Sequence, residues 1–240
     1  MLADPAITPV TRCYWLWTNS NYVLRTGAPR DAIALIDEAV ELATDHGLAV
    51  AAVLRRYRIG HDLTVPNLTR AGAELAALEG ARRVEPYYEM RAWLALQRGE
   101  LAVALREAQT ALEFAEERGR TYYRILDRFL LAVIHAEAGA LDDARAEIAH
   151  YRRDTAGVQG PLADYHALLV DAYIAWCSGD RDRCVEPLRG ALAIGERERY
   201  RSHWIWHPAM MVRLYGEALE RGIAIPYVQD VIRTHALAPA

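Results

Sequence analysis

The chain has 240 residues, of which 52% are hydrophobic and 25% charged, and its formal net charge is −4. This composition predicts a folded protein with a sizeable apolar core, and the acidic balance argues against direct nucleic-acid binding. The three cysteines lack metal-site spacing, no apolar run is long enough to span a membrane, and no basic leader begins the chain, which favours a cytoplasmic protein.

A spaced repeat runs through the sequence, in which a glycine is followed by alanine five and twelve positions later, with one exchange each in two of the copies, at Tyr151 and Cys184. The copies are Gly27/Ala32/Ala39, Gly99/Ala104/Ala111, Gly139/Ala144/Tyr151 and Gly179/Cys184/Ala191, with a weaker copy at His61/Pro66/Ala73. The last three glycines are 40 residues apart. A period of this length predicts an array of helical hairpins, because each hairpin buries its apolar face only by stacking on its neighbours.

The first predicted hairpin spans about 12–47, and its second helix carries Pro29 in the first turn and Gly47 after the last. Proline at a helix start and glycine just past a helix end are the expected punctuation. The second hairpin spans about 48–80 and breaks near Pro66. In every hairpin we call the first helix the A helix and the second the B helix.

Three further hairpins are predicted at about 84–119, 121–156 and 161–199. Terminal helices occupy 203–236, one beginning after Pro208 and a shorter one after Pro226. Helical periodicity dominates throughout. We therefore expect one all-α domain over 1–240, a right-handed superhelical solenoid of tetratricopeptide-like hairpins.

In such an array the A helices line the concave surface, and the repeat glycines, or His61 in the weak copy, are expected in the turns between A and B helices. Counting back from these turns, mainly by ten, six and three residues, predicts a concave groove rich in aromatic and arginine side chains: Trp17, Asn21, Arg25, Arg55, Arg58, Trp93, Phe129, Tyr173 and Trp176. Such side chains stack on planar or apolar parts of a ligand. The alternative is that the aromatic residues fill the core between repeats.

The segment between His203 and Pro208 contains two histidines four residues apart. This spacing on a helix suits a metal ion, but no third ligand is evident and Pro208 indicates that the helix only begins there. We therefore predict neither a metal site nor a cofactor. The two tryptophans between the histidines are expected to wedge the last hairpin onto the fifth.

Catalytic motifs are not evident in the sequence, which contains neither a glycine-rich phosphate loop nor a GxSxG motif. The acid pairs Glu116–Glu117 and Asp142–Asp143 fall where solvated helix faces are expected. We predict that the chain is not an enzyme.

A series of short motifs follows residue 205: Trp206-His207-Pro208, Met210/Met211, Arg213-Leu214, Ala218-Leu219-Glu220, Gly222-Ile223, Tyr227-Val228, Val231-Ile232-Arg233 and Leu237-Ala238-Pro239. In this order they resemble the end of the tetratricopeptide region in MalT-like bacterial transcriptional activators. Those proteins are signal-transduction NTPases with a nucleotide-binding module, a helical-repeat sensor and a DNA-binding output domain. The resemblance is specific for about residues 200–240 and generic elsewhere.

The resemblance implies that the chain is a sensor segment of a larger regulator, with a small-molecule inducer or a protein or peptide as its partner. It also implies a shift between a monomer and a homo-oligomer. ATP and DNA binding are not implied, because the sequence contains no Walker motif and no DNA-reading helix. The alternative function is a protein-interaction scaffold. A small-molecule sensor should have an enclosed pocket of a few hundred Å³, whereas a scaffold should have an open groove.

Overall fold

The computed structural model describes residues 7–78, 85–158 and 160–238. Within these ranges it contains twelve α-helices and no β-strand. They are α1 Pro9–Thr26, α2 Pro29–Asp45, α3 Ala51–Thr64, α4 Leu68–Ala77, α5 Glu85–Gln97, α6 Leu101–Glu117, α7 Thr121–Glu137, α8 Leu141–Thr155, α9 Pro161–Cys177, α10 Arg181–Glu198, α11 Pro208–Glu220 and α12 Ile225–His235. The predicted end of the second hairpin at residue 80 and the start of the third at residue 84 lie outside the described ranges.

Consecutive helices pair into hairpins, with extensive contacts between α1 and α2, α5 and α6, α7 and α8, and α9 and α10. The hairpins stack through contacts of α2 with α3, α6 with α7, and α8 with α9, while α11 packs on α9 and α10. The prediction of an all-α, right-handed superhelical solenoid is confirmed. None of the described helices combines the length and apolar character needed to cross a lipid bilayer.

The small residues of the repeat lie where the helices approach each other most closely. Ala104, Ala111, Ala144 and Ala191 of the B helices are all fully buried. A larger side chain at such a contact would force neighbouring helices apart, at a cost of about 1–3 kcal/mol. The repeat is therefore a packing requirement of the hairpin array.

The turns between A and B helices have the expected left-handed glycine in some hairpins and not in others. Gly99, Gly139 and Gly179 have φ values of +74°, +77° and +80°. In contrast, Gly27 has a φ of −116°, so the expectation of a positive φ is wrong for the first turn. There α1 ends with the Gly27 N–H bonded to the Val23 carbonyl, and α2 begins two residues later.

The second hairpin turns after Thr64, next to the predicted break at Pro66, and not at His61, which the weak copy of the repeat placed in the turn. His61 is a fully buried residue inside α3, with Nδ1 2.7 Å from the Tyr57 carbonyl oxygen, and not a turn residue. The turn follows Thr64, and Asn67 caps α4 through its side chain. Pro66 therefore occupies the position that Gly99 occupies in the third hairpin, two residues before the B helix.

Residues 200–207, between α10 and α11, cross the concave face, and we call this segment the strap. The backbone N–H groups of Arg201 and Ser202 donate to the Arg25 carbonyl at the end of α1, at 2.6 and 3.3 Å. The ring of Trp204 lies against Tyr57 of α3 and Trp93 of α5. The prediction that the tryptophans wedge the last hairpin onto the fifth is therefore wrong for Trp204, which packs against the second and third hairpins.

Candidate binding cleft

Beside the strap, the concave face retains a half-open cleft of about 460 Å³. Its walls come from α1, α3, α7, α8, α9 and the strap, so that residues distant in sequence meet in one place. It is lined by the aliphatic residues Leu24, Ile125, Leu126, Val158, Leu162 and Ala163, the aromatic residues Tyr57, Tyr122, Tyr151 and Trp204, and the polar residues Asn21, Arg25, Thr121, Thr155 and His166. A mainly apolar cavity of this size with a few polar groups is typical of a ligand site.

The side chain of Trp204 forms the wall of the cleft that the strap contributes, and it packs against α3 at Gly60. The centroid of its ring lies 5.6 Å from that of Tyr57 and 5.4 Å from that of Trp93. A Cβ atom added to Gly60 would lie only 1.9 Å from Cη2 of Trp204. The indole therefore depends on the absence of a side chain at position 60.

Glu89 of α5 accepts a hydrogen bond from the indole N–H of Trp204 and is 2% exposed. Burial raises the pKa of its carboxyl group to about 7, although the hydrogen bond from Trp204 acts in the opposite direction. A buried carboxylate without a cation is costly, which favours the neutral form. Glu89 lines a smaller cavity that shares Tyr57, Tyr122, Leu126 and Trp204 with the cleft.

Arg25 is the cationic residue of the cleft wall and lies in the last turn of α1. Its backbone carbonyl is held by the strap, while its half-buried side chain forms no ion pair with any acid of the described ranges. The guanidinium carries five N–H donors, and no nearby carboxylate uses them.

His166 of α9 contributes a buried polar group to the cleft. It is 4% exposed, and its Nδ1 lies 3.3 Å from the Tyr151 hydroxyl. Its Nε2 has no hydrogen-bond partner within the described part of the chain. Burial lowers the pKa of the imidazole well below its usual value, and the nearby His203 and Arg25 lower it further. The ring is therefore neutral near pH 7.

Of the predicted groove residues, Asn21 and Arg25 line the cleft. Trp17, one turn before Asn21, is half-buried beside it, and its ring centroid lies 4.7 Å from that of Tyr57. The first A helix thus presents the predicted side chains to the concave side.

Trp93 and Phe129 are on the concave side of their helices but are fully buried beneath the strap. The Trp93 indole N–H donates to the Trp206 carbonyl at 2.9 Å, and the Phe129 ring packs against His203. The expectation that these two residues line an open groove is corrected by the structure, because the strap covers them.

Tyr173 and Trp176 lie at the junction of α9 with α11. The buried Tyr173 hydroxyl donates to Glu137 of α7 and accepts from Arg213, whose guanidinium lies 5.1 Å from the Trp176 ring centroid. Burial alone would raise the pKa of Glu137, but hydrogen bonds from His207 and Tyr173 lower it to about 2. These contacts join three helices and the strap, and neither aromatic residue lines the cleft.

Arg55 and Arg58 do not face the groove. Arg55 is exposed and donates to Thr44 of α2 at 3.3 Å, while Arg58 is buried in ion pairs with Asp37 and Asp62. The error follows from using His61 as the turn. Counting ten and six residues back from Pro66 gives Arg56 and Gly60, which lie beside the strap.

Most cleft residues were not predicted by the repeat pattern, among them Tyr57, Tyr122, His166 and Trp204. The pattern locates positions near the middle of each A helix, whereas Tyr122 and His166 lie in the first two turns of α7 and α9. Trp204 lies in a non-helical segment, where helical periodicity has no meaning. Among the described residues no cluster of three or more His, Cys, Asp or Glu could hold a metal ion.

No protein-family model matches the chain, and no curated protein matches it in sequence. Among solved structures, it is similar to a Rap protein complexed with Competence and Sporulation Factor, with a TM-score of 0.57 and 11% identity over 95% of this chain and 76% of that one. A tetratricopeptide-repeat protein with an unusual peptide-binding site, YrrB, gives a TM-score of 0.40 at 20% identity, covering 81% of this chain and 90% of that one.

A tetratricopeptide-repeat protein from Parabacteroides merdae also matches, with a TM-score of 0.34 and 11% identity over 94% of this chain and 99% of that one. Of these three structures, the Rap protein is the one with a TM-score above 0.5, and at 11% identity this similarity concerns the fold alone. In fold, the chain is a tetratricopeptide-like helical-repeat solenoid.

Proposed function

We propose that this chain is a partner-binding module that holds a peptide or protein segment in the concave cleft. The observation that carries the proposal is the cleft of about 460 Å³, whose walls are mainly apolar and aromatic and come from five helices and the strap. The aromatic walls provide large contact areas, and the polar groups of Arg25 and Asn21 can orient a bound segment.

The similarity to the Rap protein supports this proposal, because that protein was solved in complex with a factor and shares the fold over most of this chain. Fold similarity by itself does not determine function, so the argument rests on the cleft. No catalytic role is part of the proposal.

The wider role we propose is that of a sensor in a bacterial transcriptional regulator of the MalT-like kind. Most of the motifs that resemble those regulators lie at the end of the strap and in α11 and α12. A segment bound in the cleft would touch the strap at Trp204, and the strap leads directly into α11. Binding could therefore favour one arrangement of the C-terminal helices over another, to the extent that the partner prefers it.

A plain interaction scaffold is the second candidate. It is favoured by the half-open form of the cleft and by the exposed apolar side chains among its lining residues, since Tyr122 is 59% and Val158 is 53% exposed. A scaffold would bind its partner in the same place without transmitting a change to α11 and α12.

The cleft can be tested with a soluble library of fluorescein-labelled pentapeptides that have free C-termini, screened by fluorescence polarisation. Ala163→Phe should abolish binding of the best peptides, because Ala163 lines the cleft and a phenyl ring would fill part of it. Ala149→Phe is the matched control, since Ala149 lies on the exposed face of α8. Binding that is equal in both variants, or no binding by any peptide, would contradict the proposed function.

Hydrogen exchange with and without the best peptide separates the sensor from the scaffold. A sensor should show changed amide protection in the strap, α11 and α12, as well as in the cleft walls. A scaffold should show changes only in the cleft walls, including the strap at Trp204, and none in α11 and α12.

A further inference from the structure

The charged residues that line the cleft are of one sign. Arg25 is a cation in its wall, and the described lining residues include no aspartate or glutamate. Many arginines of the described ranges have a carboxylate close by, and Arg70 and Arg128 each contact three. Arg25 has no such partner among the described residues, an arrangement that favours an anion as the missing partner.

Two helix N-termini add to this positive character. The helix α7 begins at Thr121 and α9 at Pro161, and residues of both first turns line the cleft. Neither N-terminus is capped by a side chain, and the single first-turn acid, Asp164, is exposed and does not line the cleft. Uncapped backbone N–H groups and the helix dipole favour negative charge at such positions.

His166 adds a buried, uncharged imidazole to the cleft wall. The residue is 4% exposed, and its Nε2 is enclosed by protein atoms without a partner in the described part of the chain. Because the ring is neutral near pH 7, Arg25 is the one charged side chain among the described lining residues. The buried acid Glu89 does not line the cleft and is bonded to the indole N–H of Trp204.

We propose that the cleft binds an apolar group that carries a carboxylate, and that Arg25 pairs with this carboxylate. The inference rests on the proposed function and specifies the chemistry of what is bound. The apolar part packs against the walls around Ile125 and Leu162, while the carboxylate takes the unused donors of Arg25. Two sources share this chemistry: the C-terminal residue of a peptide with a large apolar side chain, and a free carboxylic acid with an apolar body.

The test compares acids with their amides on the intact chain. The peptide probes are fluorescein-labelled Gly-Gly-Gly-Gly-Phe and Gly-Gly-Gly-Gly-Leu, each as the free acid and as the C-terminal amide, measured by fluorescence polarisation. The small-molecule probes are 4-phenylbutyrate and 4-phenylbutyramide, measured by calorimetry. In the series that binds, the acid should bind about tenfold or more tightly than the amide, because the charged hydrogen bond to arginine is lost in the amide.

The variant Arg25→Gln should remove this preference without affecting the fold, since the Arg25 side chain has no ion-pair partner among the described residues. Its matched control is Arg30→Gln, which removes an exposed charge at the start of α2, outside the cleft. Circular dichroism checks that both variants remain helical. Arg25→Lys keeps the charge but not the planar fork, and should retain only part of the preference.

If the peptides bind more tightly as acids than as amides, and this preference depends on Arg25, the ligand is a peptide C-terminus. If only the small molecules show this preference, the ligand is a free carboxylic acid. Equal binding of acid and amide that is blocked by Ala163→Phe overturns this inference and leaves the proposed function in place. The inference is also overturned if no acid binds at concentrations up to about 1 mM. The proposed function is tested separately, by the screen of the pentapeptide library.

Discussion

Gly60 illustrates how one missing side chain shapes this molecule. It lies inside α3, where glycine is usually unfavourable by about 0.5–1 kcal/mol relative to alanine. Here the absence of a Cβ makes room for the indole of Trp204, which would otherwise lie 1.9 Å from it. The packing of the strap on α3, and therefore one wall of the cleft, depends on Gly60.

Replacing Gly60 with alanine is expected to destabilise the protein by about 1–3 kcal/mol, because the new methyl group must push Trp204 aside. Urea unfolding measures the loss, and tryptophan fluorescence should shift to the red as the indole becomes exposed. In a Trp204→Ala background the same substitution should instead stabilise by about 0.5–1 kcal/mol, since only the helix preference for alanine remains. An equal effect in both backgrounds would show that the two residues are not in contact.

Arg25 shows what a single position can reveal before the structure is known. The sequence-based prediction includes it among the arginines of the groove, and in the structure it lines the cleft. Arg58 shows the opposite, because its role depends on Asp37 and Asp62, two carboxylates on α2 and α3. A sequence pattern can indicate which face of a helix a residue occupies, but not which charged side chains of other helices it will contact.

At the scale of the helical elements, glycines that end helices look alike in the sequence, but only some of them are required by a left-handed backbone conformation. Gly139 has a φ of +77° and no atom within 4 Å of where its Cβ would be, so only backbone conformation demands glycine there. Gly157, at the end of the fourth hairpin, also has open space around it, but its φ does not lie in the left-handed region.

The substitution Gly139→Ala should therefore destabilise the array by about 1 kcal/mol, because alanine adopts a left-handed conformation only with strain. Gly157→Ala should be neutral or stabilise by up to about 1 kcal/mol, by reducing the freedom of the unfolded chain. Thermal unfolding of the two variants beside the parent chain measures both effects. Equal melting temperatures for the two variants would refute the conformational explanation.

At the scale of the whole molecule, burial of ionisable groups under and around the strap couples stability to pH. His61, His203 and His235 are buried enough that their pKa values are lowered from 6.5 to about 4. Their unfolded forms bind protons below pH 6.5 and their folded forms do not, so the stability they provide is complete above 6.5 and is lost as the pH falls towards 4. Glu89 acts in the opposite direction, because its pKa is raised from 4.5 to about 7.

The free energy of unfolding should therefore decrease as the pH falls from 6.5 to 4.5, and it should decrease more steeply in Glu89→Gln than in the parent chain. The parent retains the opposing contribution of Glu89, which gains stability over this interval because the unfolded carboxyl releases its proton at a lower pH than the folded one. The difference in slope is at most about 1.4 kcal/mol per pH unit for one proton. Urea titrations at several pH values measure it, and parallel profiles would contradict a raised pKa at Glu89.

The sequence by itself determined the helical-repeat fold, because the information for hairpins is local. Small residues at fixed intervals, apolar periodicity and turn signals act within one hairpin or between neighbours, so they can be recognised without knowing the rest of the molecule. The concave placement of Trp17, Asn21 and Arg25 follows from the same regular spacing.

Only the tertiary structure decided what the concave face contains. The strap has no helical period, and its position depends on contacts with residues more than 100 positions away, such as the bonds from Trp93 to Trp206 and from Trp204 to Glu89. These contacts bury Trp93 and Phe129 and leave the cleft beside Arg25. Because such packing depends on how all the hairpins curve together, no local pattern could predict it.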